Sequence, residues 1–335
     1  MEYSSKGTKK VKDSNDKNKQ LDKFYTNDSA VDGLIELLVR VFKNDDKDLD
    51  GFTFLEPCAG GGAFLNGVER HFPKSKVISY DIEPEDKRIQ KANFLEIEPK
   101  YNKKLITIGN PPFGYKGDLA AAFIDKCSEW GDVVAFVLPI QFRRYNIQKR
   151  VNPNMKLVYS SEDLPKKSFL LNGKPYNVNC MYQIWVRKDS KYLTKLEDIR
   201  MYEPLPNKHP DFKLFIHNNT VETLKYFDKS VYKWDFAVYR QGFYDYKQRI
   251  VDEKKLEKHI QYLFVKYINP VSRTVFDHLD FEKLSHTNTS ILGYSNTDVV
   301  AEYVRIKKEL GFKDEEKAPE QLSLFDSLPE NKCWL

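Results

Sequence analysis

Short apolar runs alternate with segments of helical periodicity over the first 140 residues. The runs predict buried β-strands at 52–55, 76–80, 105–108 and 132–138. Apolar positions at helical spacing predict helices at 30–41, 63–70 and 118–128, the first of them capped from the polar cluster Thr26–Ser29. Apolar strands that alternate with helices indicate a parallel sheet covered on both faces. The pattern therefore predicts an α/β fold.

The pattern changes after residue 140. Apolar runs at 168–171 and 178–186 flank Asn172-Gly173, which is the strongest short signal for a β-hairpin. We therefore expect an antiparallel hairpin to close the sheet. Residues 189–305 mix aromatic and charged side chains without a clear period, and a last helix is predicted at 299–310.

These shifts predict four parts of the chain. Residues 1–22 are rich in Lys, Ser, Asn and Asp and are expected to be disordered. Residues 23–194 form the predicted α/β domain, and 195–310 form a second region that faces a substrate. The polar, acidic segment 311–335 is expected to be a flexible tail.

Composition excludes several classes of protein. The four cysteines include no CxxC pair and the six histidines show no ligand spacing, so we expect reduced thiols in the cytoplasm and no metal site. No stretch approaches the roughly 20 apolar residues of a membrane span. The net charge of +5 is compatible with nucleic acid, and the 14% of aromatic residues fit either core packing or base stacking.

The most informative chemistry follows the strand predicted at 105–108. There the chain reads Asn110-Pro111-Pro112-Phe113. Proline fixes its own φ, lacks an N–H and holds the preceding residue extended. The loop thus offers free carbonyls, one side-chain amide and an aromatic ring. An amino group on a planar ring needs those acceptors and that stacking surface, although a rigid turn alone would also use two prolines.

Two further signals point to a cofactor. After the first strand, Glu56-Pro57-Cys58-Ala59-Gly60-Gly61-Gly62 leads into a helix, so a ligand can approach the backbone closely. Glu56 would repel phosphate and suits an ammonium group. Asp81 ends the second strand, at the spacing of an acid that binds ribose hydroxyls. Either feature alone could be an ordinary turn; together they indicate a cofactor that contains adenosine.

Taken in chain order, Glu56–Gly62, Asp81 and Asn110–Phe113 resemble segments of the amino-group methyltransferases that use S-adenosylmethionine, above all the DNA N6-adenine methyltransferases. The segment Asp22-Lys23-Phe24-Tyr25-Thr26 looks like their additional cofactor motif, in the position that it has in the gamma class. The resemblance covers about residues 20–190. It implies a Rossmann-like class I methyltransferase fold, followed by a target-recognition region.

The resemblance also implies roles for single residues. The cofactor would contact Phe24, Tyr25, Thr26, Glu56, Pro57, Ala59, Gly60, Asp81, Ile82, Asn93 and Phe94. The family often has Asp where Asn93 stands. The catalytic residues would be Asn110, Pro111, Pro112 and Phe113, with the Asn110 amide oxygen and the Pro111 carbonyl accepting from the target amine and Phe113 stacking on a flipped base.

The partners are expected to be nucleic acid and another protein. Double-stranded DNA would meet Tyr115, beside the catalytic loop, and the candidate base readers Arg240 and Gln241 in an aromatic segment. The segment Gln321-Leu322-Ser323-Leu324-Phe325 closely resembles the pentapeptide that binds the bacterial sliding clamp, with contacts expected from Gln321, Leu322, Leu324 and Phe325. It could instead fold back on its own domain.

Other activities fit the same loop. N4-cytosine methylation, RNA N6-adenine methylation and glutamine methylation of proteins remain alternatives within the enzymes. A binding protein for DNA or the clamp that kept the fold without catalysis is the alternative from another class.

Overall fold

The computed structural model describes residues 24–45, 49, 51–287 and 291–312. The predicted N-terminal tail 1–22 and the clamp-like segment 321–325 lie outside the described residues.

The first part of the chain supplies the strands and helices that hold the main sheet. Its strands are β1 (Tyr25–Thr26), β2 (Thr53–Glu56), β3 (Val77–Asp81), β4 (Gln90–Lys91), β5 (Leu105–Gly109), β6 (Val133–Pro139), β7 (Met155–Asp163), β8 (Phe169–Leu171), β9 (Lys174–Tyr176) and β10 (Cys180–Arg187). Its helices are α1 (Asp28–Asn44), α2 (Ala63–His71), α3 (Asp118–Ser128) and α4 (Tyr145–Gln148).

The main sheet has the strand order β4-β3-β2-β5-β6-β10-β7. Strands β4, β3, β2, β5 and β6 pair in parallel, whereas β10 is antiparallel to both of its neighbours, β6 and β7. This order, with one reversed strand next to the last, is the Rossmann-like class I methyltransferase fold, so the predicted α/β class is confirmed. The order reverses between β2 and β5, and ligands of such sheets bind where it does so, at the carboxyl ends of the strands.

Local sequence explains the elements that flank the carboxyl ends of these strands. Asn27 caps α1, because its side chain accepts from the Ala30 N–H at 2.8 Å. The five residues of β5 and the seven of β6 are all buried, as expected for central strands with helices on both faces. These strands were predicted within one residue at each end.

The predicted closing hairpin is wrong in part. A turn at Asn172-Gly173, both with positive φ, does join β8 to β9, but these strands form a separate sheet with β1. Pro175 lies in β9 and cannot donate to a ladder, so β9 is an edge strand and does not continue into the main sheet. The main sheet is closed instead by β10 and by β7, and β7 was not predicted.

The rest of the described chain forms a second unit, of the α+β type. It contains β11 (Phe212–His217), α5 (Lys229–Tyr232), β12 (Phe236–Tyr239), β13 (Tyr262–Tyr267), α6 (Pro270–Asp277), α7 (Phe281–Ser285) and α8 (Asn296–Glu309). The strands form an antiparallel sheet in the order β11-β13-β12. The predicted last helix is present as α8, which begins earlier because Ser295 and Asp298 form a capping box.

The buried side chains divide between two bodies. Two hydrophobic clusters draw their buried members from between Val31 and Leu193, and two others draw theirs from between Phe212 and Ile306. The intervening Arg200 is anchored to the first body, where its buried guanidinium donates to four backbone carbonyls between residues 148 and 155. Arg144 of the first body pairs with Asp298 of the second at 3.1 Å.

Candidate active site

A cavity of ≈ 340 Å³ opens at the carboxyl ends of β2, β3 and β5, where the sheet order reverses. Its wall brings together the Gly-rich turn after β2, the end of β3, the proline loop after β5 and the short strand β1. The lining residues are Phe24, Tyr25, Thr26, Glu56, Pro57, Cys58, Ala59, Gly60, Ala63, Phe64, Asp81, Ile82, Ala92, Asn93, Phe94, Leu95, Asn110, Pro112, Leu119 and Phe123.

This wall contains all eleven residues predicted to contact a cofactor, together with Asn110 and Pro112 of the predicted catalytic loop. The predicted nucleic-acid residues lie elsewhere. Tyr115 follows the loop with 76% of its surface exposed, and Arg240 and Gln241 belong to the second body.

Glu56 places a buried carboxylate at the end of β2. The residue is 2% exposed, and its Oε2 has no hydrogen-bond partner among the described residues. Burial raises the pKa of Glu56 well above its ordinary value, and the nearby charge of Asp81 adds to the effect. The backbone N–H groups of Leu65 and Phe64, in the first turn of α2, oppose this by stabilising the charged form. A buried carboxyl group with one oxygen that has no partner among the described residues fits a cationic ligand group.

Asp81 holds the Gly-rich turn in place. One of its carboxylate oxygens accepts from the Gly60 N–H at 2.7 Å and the other from the Glu83 N–H at 2.8 Å. A carboxylate has lone pairs beyond these two bonds, so it can still accept from a ligand hydroxyl.

Gly60 is required by its surroundings. Its φ is +50°, and a Cβ at this position would lie 2.7 Å from Cε1 of Tyr25. The Tyr25 ring therefore packs directly on the turn, and its hydroxyl donates to Glu85. Burial and the carboxylate of Glu85 raise the pKa of Tyr25. Strand β1 thus forms a wall of the cavity that depends on a glycine beneath it.

Asn93 is engaged in a local cap. Its Oδ1 accepts from the Leu95 N–H at 3.3 Å, and its Nδ2 donates to Glu96 at 2.8 Å. The residue lines the cavity, but both ends of its amide already have partners.

Asn110 differs from Asn93 in this respect. Its Oδ1 is buried and has no hydrogen-bond partner among the residues described. Its backbone carbonyl accepts from the Cys58 thiol at 3.5 Å. Burial raises the pKa of that thiol, so Cys58 stays protonated and can donate. The geometry leaves an amide acceptor uncommitted at the cavity wall.

The end of the loop is packed rather than open. Phe113 is 7% exposed and meets Phe24 edge to face, with ring centroids 5.3 Å apart. Beyond it, Gly114 has φ +67°, and Arg150 donates to the Lys116 carbonyl at 3.0 Å. Because Phe113 is packed against Phe24, stacking of a base on Phe113 would require one of the two rings to move, and it stays a prediction. The exposed ring nearest the loop in sequence is Tyr115.

Several lining residues were not predicted as site residues. They are Cys58, Ala63, Phe64, Ala92, Leu95, Leu119 and Phe123. Phe64, Leu119 and Phe123 occupy apolar helical positions that look like core positions in sequence, whereas Cys58 lay inside the recognised Gly-rich segment.

The described residues contain no group of three or more His, Cys, Asp or Glu side chains that could hold a metal ion. Within the same residues, none of the helices combines the length and hydrophobicity that crossing a bilayer requires.

No protein-family model matches the chain, and no curated protein matches it. Solved structures do. A proposed RNA methyltransferase from Pyrococcus horikoshii is 16% identical, with a TM-score of 0.38 over 50% of this chain and 87% of that one. The 23S rRNA methyltransferase ErmE is 17% identical, with a TM-score of 0.34 over 46% of this chain and 68% of that one.

A third similar structure is the magnesium protoporphyrin IX methyltransferase of Synechocystis PCC 6803. It is 12% identical, with a TM-score of 0.33 over 54% of this chain and 86% of that one. These values are too low for the likeness to add to what the strand order already shows.

Proposed function

We propose that this protein is an S-adenosylmethionine-dependent methyltransferase that modifies the N6 amino group of adenine in double-stranded DNA. One observation carries the proposal: three buried polar atoms without partners among the described residues line one cavity. They are Thr26 Oγ1, Glu56 Oε2 and Asn110 Oδ1. Buried polar atoms are normally hydrogen-bonded, so three orphans around one cavity indicate a polar ligand.

The residues fit the proposed cofactor. S-adenosylmethionine supplies an activated methyl group on a sulfonium and carries an ammonium and two ribose hydroxyls. Glu56 would accept from the ammonium, and Asp81 would accept from the ribose. The ring of Tyr25 and the apolar surface of Ile82 and Phe94 would enclose the rest.

Asn110 would activate the target. The lone pair of an exocyclic amine is conjugated into its ring, so the nitrogen is a poor nucleophile. The Asn110 Oδ1 and the Pro111 carbonyl would accept its two N–H bonds, which favours a pyramidal nitrogen with its lone pair directed at the methyl carbon. The new N–C bond would form as the S–C bond breaks to leave a neutral thioether, and the nitrogen would then lose one proton to water. The prolines restrict the backbone at both acceptors, so the main contribution of the loop to catalysis would be to align the target amine with the methyl group.

Adenine in RNA and cytosine N4 offer the same kind of amino group. The preference for DNA adenine rests on the resemblance of the loop and its motif order, and no contact of the described residues distinguishes the acceptors. RNA N6-adenine methylation therefore stands as the second candidate.

The test is transfer of radiolabelled methyl from S-adenosylmethionine to acceptors offered separately: duplex DNA, RNA and total protein. We expect label in DNA, removed by DNase and not by RNase or protease, and recovered as N6-methyladenine after digestion. Label in RNA alone would shift the proposal to the second candidate. No incorporation into any acceptor, with the cofactor bound, would refute catalysis.

We also propose that the segment Gln321–Phe325 binds a bacterial sliding clamp; it lies outside the described residues. We expect the full chain to retain a purified clamp in a pull-down, and the double variant Leu324→Ala, Phe325→Ala to lose it. Lys332→Ala, in the same tail, is the matched control that should still bind. Failure of the wild-type chain to bind would end this idea and leave the methyltransferase proposal intact.

A further inference from the structure

The second body carries an exposed aromatic turn, Arg240–Tyr244, directly after β12. Phe243 is 78% exposed and Tyr244 is 38% exposed. Their neighbours Gln241, Asp245 and Lys247 are exposed and polar. Phe243 therefore presents a large apolar ring to solvent beside Tyr244 and among polar neighbours.

The aromatic turn is held firmly on the second body. The Gly242 N–H donates to the Leu292 carbonyl at 2.9 Å, and the Tyr246 hydroxyl donates to the Gly242 carbonyl at 2.8 Å. Gly242 has φ +120°, and a Cβ there would lie 2.4 Å from the Tyr244 ring. The fold therefore fixes the backbone that presents Phe243.

Aromatic stacking extends from the sheet into this turn. Tyr244 stacks on Tyr239, the last residue of β12, with ring centroids 4.6 Å apart and planes inclined by 12°. Tyr239 in turn contacts Tyr262 of β13 with a centroid distance of 5.5 Å. The residue that directly follows Phe243 is thus packed onto the sheet through stacked rings.

A guanidinium lies on the same turn. Arg240 Nη1 donates to Asn218 at 2.8 Å, whereas its Nε is buried without a partner among the described residues. Burial lowers the pKa of Arg240, and the guanidinium forms no ion pair among the described residues. The acid of the segment, Asp245, instead accepts from the Lys247 N–H at 3.0 Å. The positive charge of Arg240 is thus not neutralised within the turn.

We propose that the aromatic turn binds nucleic acid through an unpaired base that stacks on Phe243, with Arg240 directed to the adjoining backbone. This inference rests on the proposed function and deepens it, because it names the part of the second body that would hold the nucleic acid. The exposed ring of Phe243 and the guanidinium of Arg240, three residues apart on one turn, match the two parts of a nucleotide, its base and its phosphate. An apolar peptide would need a groove, which the polar neighbours of Phe243 do not form.

The experiment measures binding of fluorescent single-stranded DNA and RNA 20-mers of mixed sequence to the full chain by anisotropy. Phe243→Ala is expected to weaken binding by about 5–100-fold, since one base stack contributes that much. Phe243→Trp should restore it. Tyr101→Ala removes another exposed aromatic side chain, in the first body ahead of the amino end of β5, and should bind as wild type does.

Salt dependence separates stacking from charge. Phe243→Ala should leave the slope of log affinity against log salt unchanged, whereas Arg240→Gln should reduce that slope by about one. The two oligonucleotides decide between DNA and RNA as the source of the base. Wild-type affinity in Phe243→Ala for both would overturn the stacking proposal even if the wild-type chain methylates nucleic acid. Binding through Phe243 in a chain that methylates no acceptor would instead refute only the proposed function.

Discussion

Replacing Asn110 by alanine is expected to lower the rate of methyl transfer by about 10²–10³-fold, the cost of removing one preorganised polar group from a reacting centre. The amide oxygen at this position is buried and has no partner among the described residues, so it is free to accept from the target amine. The prolines that follow keep the backbone extended in the variant. Cofactor binding should remain nearly intact, because Glu56 and Asp81 are untouched.

The measurement is single-turnover transfer from radiolabelled S-adenosylmethionine, together with cofactor affinity by calorimetry. Asn110→Asp retains an acceptor oxygen of the same size and should keep more activity than the alanine variant. Asn102→Ala is the matched control: the same change at the other end of β5, where Asn102 is exposed and accepts from the Lys104 N–H. If Asn110→Ala turned over at the wild-type rate, the proline loop would not be the catalytic centre.

The parts of the site that sequence predicts are those fixed by local rules. The two prolines stiffen the backbone at Asn110 whatever surrounds them, and the run Gly60-Gly61-Gly62 readily adopts the positive φ seen at Gly60 and Gly62. Parallel strands end at the same edge of a sheet, so Glu56, Asp81 and Asn110, at the ends of three strands, meet in one cavity.

The parts that sequence misses depend on distant partners. The packing of Phe113 is set by Phe24, which in turn contacts Phe169 from β8, about 145 residues further along the chain. Similarly, Arg200 looks like a surface charge until four carbonyls of the first body surround it. The strands of the second body are mostly apolar and do not alternate strictly between buried and exposed positions, so a period of two does not identify them.

Replacing Glu56 by glutamine is expected to weaken S-adenosylmethionine binding by about 10–100-fold, since a hydrogen bond to a charged group contributes about 1.5–3 kcal/mol. Glutamine keeps the size of the side chain and an oxygen for the Leu65 and Phe64 N–H groups, so the turn into α2 should be preserved. The variant removes only the charge that would meet the ammonium. Glu69→Gln, on the exposed side of α2 beside Arg88, is the control and should bind normally.

The Glu56→Gln variant also tests how the stability of the ligand-free protein depends on pH. Burial raises the pKa of Glu56 above its ordinary value of about 4.3. At any pH between the ordinary and the raised pKa, the folded chain keeps the proton of Glu56, whereas the unfolded chain has lost it. The stability of the ligand-free protein should therefore fall as pH rises through this window. Glu56→Gln should remove this contribution, as thermal unfolding across pH would reveal.

Cofactor binding should reverse the effect on the carboxyl group. A cation beside Glu56 favours its charged form, so binding lowers the pKa of Glu56 and releases the proton. Calorimetry in two buffers of different ionisation enthalpy measures that release directly. We expect proton release from the wild-type chain within the window and none from Glu56→Gln. Equal release from both, or unchanged affinity in the variant, would show that the ammonium binds elsewhere and that the buried carboxylate serves only the turn into α2.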